Sequence, residues 1–145
     1  MSLNHPHLRD ATLSDSTVIA ALVSQLGYAT AAADMKGRLE LLLQHPEHSM
    51  VVAEISDEVV GMIAAQVGPA LEFNGTYGRI TGLVVDARWR GRGIGRLLMN
   101  HMESWCKNRG AHSLILTSGN HRLDAHKFYA AIGYNATGLR FIKRL

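Results

Sequence analysis

The stretch Ile80-Thr81-Gly82-Leu83-Val84-Val85, followed after four residues by Arg90-Gly91-Arg92-Gly93-Ile94-Gly95, decides how this chain folds. The β-branched apolar run predicts a strand, and the amphipathic pattern after the glycines predicts a helix over Ile94–Asn108. Glycines on alternate positions let the backbone turn tightly at the helix start, where unpaired N–H groups can converge on an anion. The stretch therefore predicts a strand, a loop and a helix with an oxyanion site at the loop.

The positive charge around the glycines indicates what kind of ligand binds there. Four arginines fall within nine residues, with no acidic residue among them: Arg88, Arg90, Arg92 and Arg96. This density indicates a ligand with several negative charges, such as a pyrophosphate with a further phosphate. A dinucleotide fingerprint would need glycine at position 96 or 98, where Arg96 and Leu98 stand, and the Gly-Lys-Ser/Thr of a Walker A loop does not occur.

Length and composition predict one domain over residues 1–145 of a 145-residue chain. No apolar run approaches the roughly 20 residues that span a bilayer, and residues 1–9 show no apolar segment behind a basic start. The single cysteine, Cys106, cannot form an internal disulfide, and its place on an apolar helix stripe indicates a core residue. We expect a cytoplasmic protein without a membrane partner.

Hydrophobic periodicity and turn residues predict the elements on either side of the deciding stretch. Before it we expect a strand over 8–13, a helix capped by Ser14 or Asp15 and ended by Gly27, a helix over 30–44, and antiparallel strands over 50–55 and 59–67. A strand over 77–85 leads into the loop. After it we expect a helix with Ile94, Leu97, Leu98, Met102, Trp105 and Cys106 buried, a strand over 113–117, a helix over 122–132, and one or two short strands over 134–145. This order is that of an α+β fold.

Three segments together resemble the GNAT superfamily of acetyl-coenzyme A-dependent N-acetyltransferases. They are Leu83-Val84-Val85-Asp86, the pattern Arg90-x-x-Gly93-x-Gly95, and the run Ala125-His126-Lys127-Phe128-Tyr129-Ala130-Ala131-Ile132-Gly133-Tyr134. The resemblance extends from about residue 80 to residue 145. It implies a mixed, mostly antiparallel sheet that is splayed in the middle and flanked by about four helices, with acetyl-coenzyme A as co-substrate in the splay.

The resemblance also implies where the co-substrate binds. Backbone N–H groups of the segment Arg92, Gly93, Ile94, Gly95 and Arg96 would surround the pyrophosphate. The side chain of Arg90 would add positive charge, and Gly91 would complete the loop. The edge of the strand at Leu83, Val84 and Val85 would pair with the pantetheine arm, and one of its N–H groups would polarise the thioester. Ala125 and Phe128 match the second cofactor segment of the family.

The resemblance makes Tyr129 the candidate general acid. Its ordinary pKa of about 10 lies above that of a thiol, about 8.5, so a phenol keeps its proton at neutral pH and can protonate the departing thiolate. The alternative is a packing tyrosine on the apolar stripe of its helix. Relatives commonly carry asparagine seven residues before this tyrosine, where it contacts the pantetheine arm. Here that position is Arg122, and Asn120 lies two residues earlier.

The general base is left open. Many relatives carry a glutamate on the strand before the glycine loop, but residues 77–85 contain no acidic residue. Ordered water, Glu72, Glu54 or His112 remain as alternatives. The eight histidines show no metal-ligand spacing, so no metal is predicted.

These observations predict an N-acetyltransferase that moves an acetyl group from acetyl-coenzyme A to a primary amine by direct attack in a ternary complex. We expect the acceptor to be a small molecule or a peptide. The resemblance implies that residues 27–33, 68–75 and the C-terminal segment select it, with Asp34 or Glu72 available to attract a cationic amine. The alternatives are a non-catalytic acyl-coenzyme A-binding sensor or regulatory domain and a module that binds nucleic acid or protein through its arginines. We expect no nucleic-acid partner, and a homodimer is left open.

Overall fold

A computed structural model describes residues 5–145, so the expectation about residues 1–9 falls partly outside the described residues. The chain divides into two compact units, the first ending at Ile115 and the second spanning Leu116–Leu145. The first unit holds a five-stranded sheet in the order β1 (His7–Asp10), β2 (His48–Ile55), β3 (Glu58–Pro69), β4 (Thr76–Val85) and β5 (Ala111–Ile115). Its helices are α1 (Ser16–Gln25), α2 (Ala32–Leu42) and α3 (Ile94–Asn108), and the second unit holds α4 (Leu123–Ala131).

The sheet is antiparallel from β1 to β4, and only β4 and β5 pair in parallel. Ser56 and Asp57 join β2 to β3 with positive φ angles of 50° and 65°, the conformation of the tight turn that matches strand twist in a hairpin. The predicted hairpin and the mixed, mostly antiparallel sheet are therefore confirmed. The C-terminal strands are wrong: residues 134–145 contain no helix or strand. Their apolar side chains Leu139, Phe141 and Ile142 are exposed, so no buried face stabilises extended backbone there.

Helices cover both faces of the sheet. Met62 of β3 packs in a cluster with residues of α1 and α2, whereas a Cβ on the adjacent Gly61 would lie 3.3 Å from Leu98 and 3.5 Å from Ile94 of α3. Because neighbouring residues of a strand point to opposite faces, α3 lies on one face of the sheet, and α1 and α2 lie on the other. We call these the α3 face and the α1/α2 face.

The α3 face is closely packed. Leu98, Met99, Met102 and Cys106 are fully buried, and burial raises the pKa of Cys106 to about 11, as expected of a core thiol. The predicted buried face of α3 was wrong at Leu97, which is 37% exposed, because the helix turns Met99 inward instead. Trp105 is half-buried under the guanidinium of Arg109, 4.9 Å from its ring centre.

The sheet splays between β4 and β5. The two strands pair only from Thr76 opposite Ala111 to Arg79 opposite Ile115. Directly beyond this point the register between β3 and β4 shifts, so that Thr81 has no opposite residue in β3. A bulge of this kind bends a strand and ends its pairing on one side. It leaves residues 80–85 of β4 without a neighbouring strand on the side away from β3.

Candidate functional site

The open edge of β4 carries two unpaired N–H groups. Asp86 donates its backbone N–H to the carbonyl of Val60 in β3 at 2.8 Å, so Asp86 faces β3. Peptide groups of successive residues alternate in direction along an antiparallel strand. Val84 therefore also faces β3, whereas Leu83 and Val85 point to the open edge. Neither N–H group has a backbone partner among residues 5–145.

The glycine loop follows this edge directly. A short 3₁₀ turn, Ala87–Trp89, begins at Asp86, whose carboxylate accepts the N–H of Arg88 at 2.9 Å. Gly91 and Gly93 then take left-handed φ angles of 77° and 82°, and Gly93 caps α3. A residue with a Cβ is strained in this region, which explains why glycine stands at both positions. The predicted strand, loop and helix arrangement is confirmed.

The N-terminus of α3 is uncapped by any side chain. Leu97 donates its N–H to the carbonyl of Gly93 at 3.1 Å, which begins the helical ladder. The N–H groups of Ile94, Gly95 and Arg96 precede that ladder and have no acceptor within the helix. Together with the positive end of the helix dipole, these N–H groups are available to donate to an oxyanion.

The four arginines are not equivalent. Arg88 forms ion pairs with Glu58 at 2.6 Å and with Asp86 at 3.2 Å, so its charge is compensated within the protein. The other three form no ion pair among residues 5–145. Arg90 donates Nε to the carbonyl of Val85 at 3.1 Å, Arg92 stacks 4.6 Å from the ring centre of Trp89, and Arg96 is exposed. The loop therefore presents three uncompensated positive charges rather than four.

A cavity of about 290 Å³ lies on the α1/α2 face. Its walls are mostly apolar side chains from α1, α2, β2 and β3, among them Ile19, Val23, Met35, Met50 and Met62. It reaches β4 at Thr81 and Gly82, directly before the open edge at Leu83. The cavity and the edge thus meet at the bulge of β4.

Sequence reasoning missed two polar side chains of this cavity, Arg38 and His48, whereas Tyr28 belongs to the segment 27–33 that was expected to select the acceptor. Burial lowers the pKa of His48, and the charge of His45, whose ring centre lies 4.5 Å away, lowers it further, while Glu47 opposes the shift. His48 is therefore uncharged at neutral pH and able to accept a proton. The signal was present in the sequence: Arg38 stands three residues after Met35 and adjoins the buried stripe of α2, and His48 stands two residues before Met50 on one strand face.

The residues considered as general base lie elsewhere. Glu54 pairs with Arg9, Glu72 is exposed in the loop between β3 and β4, and His112 packs beside Phe73. None of the three lines the cavity. No group of three or more metal-ligating side chains occurs among residues 5–145, and no helix in that range has the length and apolar character to cross a membrane.

The second unit positions the candidate acid. Tyr129 lies on α4, half-buried between the rings of Phe128, with centres 5.3 Å apart, and Tyr134, with centres 6.0 Å apart. Burial raises the pKa of Tyr129, and the charge of Arg122 partly opposes this. The phenol therefore holds its proton at neutral pH, and it forms no hydrogen bond within residues 5–145.

The remaining candidates in the second unit surround the start of α4. Arg122 caps the helix and is half-buried, Asn120 is exposed, and Ala125 and Phe128 lie half-buried on α4. The hydroxyl of Ser118, four residues before Arg122, is buried without a hydrogen-bond partner. A buried hydroxyl is seldom left unpaired, so Ser118 is an available donor that sequence reasoning did not single out.

Residues 18–134 match the model of the acetyltransferase (GNAT) family. The chain belongs to the GNAT family. The match covers the β4 edge, the glycine loop and α4, and it confirms the resemblance read from the three sequence segments. Acetyl-coenzyme A, the expected co-substrate, is the co-substrate of this family.

Known GNAT relatives agree with this assignment. An aminoalkylphosphonate N-acetyltransferase of Salmonella typhimurium is 31% identical over 95% of this chain and 90% of its own length. An aminoglycoside N(6')-acetyltransferase type 1 of Stenotrophomonas maltophilia is 30% identical over 94% of this chain and 91% of its own length. The solved structure of the aminoglycoside N-acetyltransferase AAC(6')-Iy in complex with coenzyme A has the same fold, with a TM-score of 0.85 at 17% identity over 98% of this chain and 95% of its own. The chain is accordingly an acetyltransferase of the GNAT family, as predicted.

Proposed function

We propose that this GNAT protein transfers the acetyl group of acetyl-coenzyme A to the primary amine of a small molecule by direct attack in a ternary complex. The observation that carries the proposal is the continuity of the open β4 edge with the uncapped N-terminus of α3. One extended thioester could pair with the edge and end with its phosphates at the helix. The family match spans both units of the chain, which supports a single acetyltransferase domain over residues 1–145.

The β4 edge and the glycine loop would hold the co-substrate. The N–H groups of Leu83 and Val85 are the available donors for the pantetheine arm and the thioester oxygen. The N–H groups of residues 92–96 would bind the pyrophosphate, and Arg90, Arg92 and Arg96 would supply charge. Val84 would lie beside the pantetheine arm without a backbone hydrogen bond to it, because its peptide group faces β3.

The chemistry requires one bond to form and one to break. The neutral amine attacks the thioester carbonyl and the new C–N bond forms. The C–S bond then breaks, the nitrogen gives up one proton to water, and the departing thiolate takes up a proton. We assign that proton to Tyr129, whose raised pKa keeps the phenol protonated at neutral pH, so that it can donate to the thiolate as the C–S bond breaks and then regain a proton from solvent. Asn120, Arg122, Ala125 and Phe128 are proposed to contact the pantetheine arm, and Arg122 has in addition an electrostatic effect on Tyr129.

The relatives support a small-molecule acceptor. Two relatives that match over more than nine-tenths of the chain are named for an aminoalkylphosphonate and an aminoglycoside, both small-molecule amines. A cavity of about 290 Å³ also suits a small molecule, because it lies at the low end of the range for ligand pockets. A peptide amine is the alternative acceptor. A cytoplasmic location is proposed from the single cysteine.

Release of free thiol from acetyl-coenzyme A across a panel of amines tests the proposal, with mass spectrometry to identify the acetylated product. We expect turnover with at least one small amine, and Tyr129→Phe should lower kcat by roughly 10²-fold while cofactor binding changes little. Cofactor binding without turnover on any amine would instead identify a non-catalytic sensor. A kcat for Tyr129→Phe within twofold of the parent, measured where chemistry limits the rate, would withdraw the acid role.

A further inference from the structure

The charge inside the α1/α2-face cavity is one-sided. Thirteen residues line it, and none of them is acidic. Arg38 is the one permanently charged side chain among them, because the lowered pKa of His48 leaves that imidazole neutral at neutral pH. Asp34 and Glu72, the carboxylates expected to attract a cationic amine, do not line the cavity.

The side chain of Arg38 is exposed, and no carboxylate among the described residues neutralises its charge. Its guanidinium approaches the hydroxyl of Thr30 at 3.5 Å, and no carboxylate of residues 5–145 lies within ion-pair distance of it. Thr30 in turn donates its hydroxyl to the carbonyl of Tyr28 at 2.7 Å, which ties the guanidinium to the loop between α1 and α2. A guanidinium beside an apolar wall and without a carboxylate keeps most of its donors available for an anion.

The cavity also reaches β4 beside its open edge. Thr81 and Gly82 belong to the cavity wall, and Leu83 is the next residue, with its N–H pointing to the open edge of β4. A reacting amine therefore has to sit at the Gly82 end. The rest of the acceptor then extends along apolar side chains towards α2 and Arg38.

On the basis of the proposed function, we infer that the acceptor is a small primary amine whose other end carries an anionic group, a carboxylate or phosphonate, bound by Arg38. The apolar wall suits a short hydrocarbon linker between the two ends. Polycationic amines are disfavoured because they would place further positive charge beside an unpaired guanidinium.

A matched pair of acceptors tests this assignment. The compounds 3-aminopropylphosphonate and 3-aminopropan-1-ol share a linker and an amine but differ in charge. We expect kcat/KM to favour the phosphonate by about tenfold or more, mainly through KM, since a charge-assisted contact remote from the reacting atoms contributes uniform binding. Arg38→Gln should remove the preference, and Arg38→Lys should keep part of it.

Lys36→Gln is the matched control, because it removes one positive charge from an exposed position of the same helix outside the cavity. Its preference for the phosphonate should stay within twofold of the parent. Equal kcat/KM for both amines in the parent protein, or a preference that survives in Arg38→Gln, would overturn the inference while leaving the acetyltransferase proposal intact.

Direct binding separates failure of the inference from failure of the proposed function. Calorimetry of 3-aminopropylphosphonate with the coenzyme A-bound protein needs no turnover. Binding that is lost in Arg38→Gln but not in Lys36→Gln upholds the anion site even if no amine is acetylated. If the parent protein binds neither compound but acetylates amines that carry no anionic group, the inference is wrong and the proposed function stands.

Discussion

The two faces of the sheet differ in their packing and in how much of their functional part the sequence predicts. The α3 face is closely packed, and its functional part is one continuous segment from β4 through the glycine loop into α3. The α1/α2 face contains a cavity whose walls come from five separate elements. Under the proposed function, the co-substrate would be bound by local backbone geometry, whereas the acceptor would be selected by side chains brought together only by folding.

Gly93→Val should have the largest effect, on the α3 face. A β-branched residue at a φ of 82° is strained and would move the N–H groups at the start of α3, so the Kd for coenzyme A should rise by about 10²-fold. Gly27→Val is the control, because Gly27 also has a left-handed φ, 101°, with open space around it. If calorimetry gives both variants the same Kd for coenzyme A, the glycine loop is not the cofactor site.

Adding one methyl group to each face compares their packing directly. A Cβ on Gly78 would lie 2.9 Å from Sγ of Cys106, so Gly78→Ala should lower the free energy of unfolding by about 1–2 kcal/mol. Gly82→Ala on the cavity side has no atom within 4 Å of its new Cβ and should change stability by less than about 0.5 kcal/mol. Chemical denaturation of both variants measures the difference, and equal losses would contradict the contrast in packing.

Acid should weaken the α1/α2 face through Asp15. Hydrogen bonds from Arg9, at 2.8 and 2.9 Å, lower the pKa of Asp15, helped by the N–H of Thr12 at 2.8 Å. A lowered folded-state pKa gives stability that is complete above the unfolded value of about 3.8 and is lost as pH falls through the folded value. Asp15→Asn should therefore be less stable than the parent by on the order of 2 kcal/mol at pH 7.

The pH dependence of the free energy of unfolding of the same two proteins tests this assignment. Below pH 3.8 the free energy of unfolding of the parent should fall more steeply than that of Asp15→Asn, so the two curves converge. Parallel curves from pH 6 to pH 2 would show that Asp15 contributes no pH-dependent stability.

The smallest expected effect distinguishes two arginines of the loop. Arg96→Gln removes an exposed charge at the N-terminus of α3 and should weaken coenzyme A binding about three- to fivefold at low salt, with less effect at high salt. Arg88→Gln removes a charge that Glu58 and Asp86 already compensate, so its Kd should stay within about twofold of the parent. A larger increase in Kd for Arg88→Gln than for Arg96→Gln would contradict the distinction between the ion-paired Arg88 and the unpaired Arg96.

The sequence was informative where function depends on neighbouring residues. The bounds of α3, the hairpin at Ser56 and the loop at Gly93 follow from local rules of periodicity and backbone conformation. Arg38 and His48 were missed because a cavity depends on which faces of distant elements meet, although each residue interrupts an apolar pattern. The C-terminal strands were wrong for the same reason, since Phe141 and Ile142 form an extended pattern without a neighbouring strand to stabilise it.

Amide hydrogen exchange in β4 tests the central proposal most directly. The open edge predicts that coenzyme A or acetyl-coenzyme A slows exchange at the N–H groups of Leu83 and Val85. The N–H of Val84, which faces β3, should be protected already and change little. Unchanged exchange at both Leu83 and Val85 in the cofactor-saturated protein would contradict binding along the β4 edge.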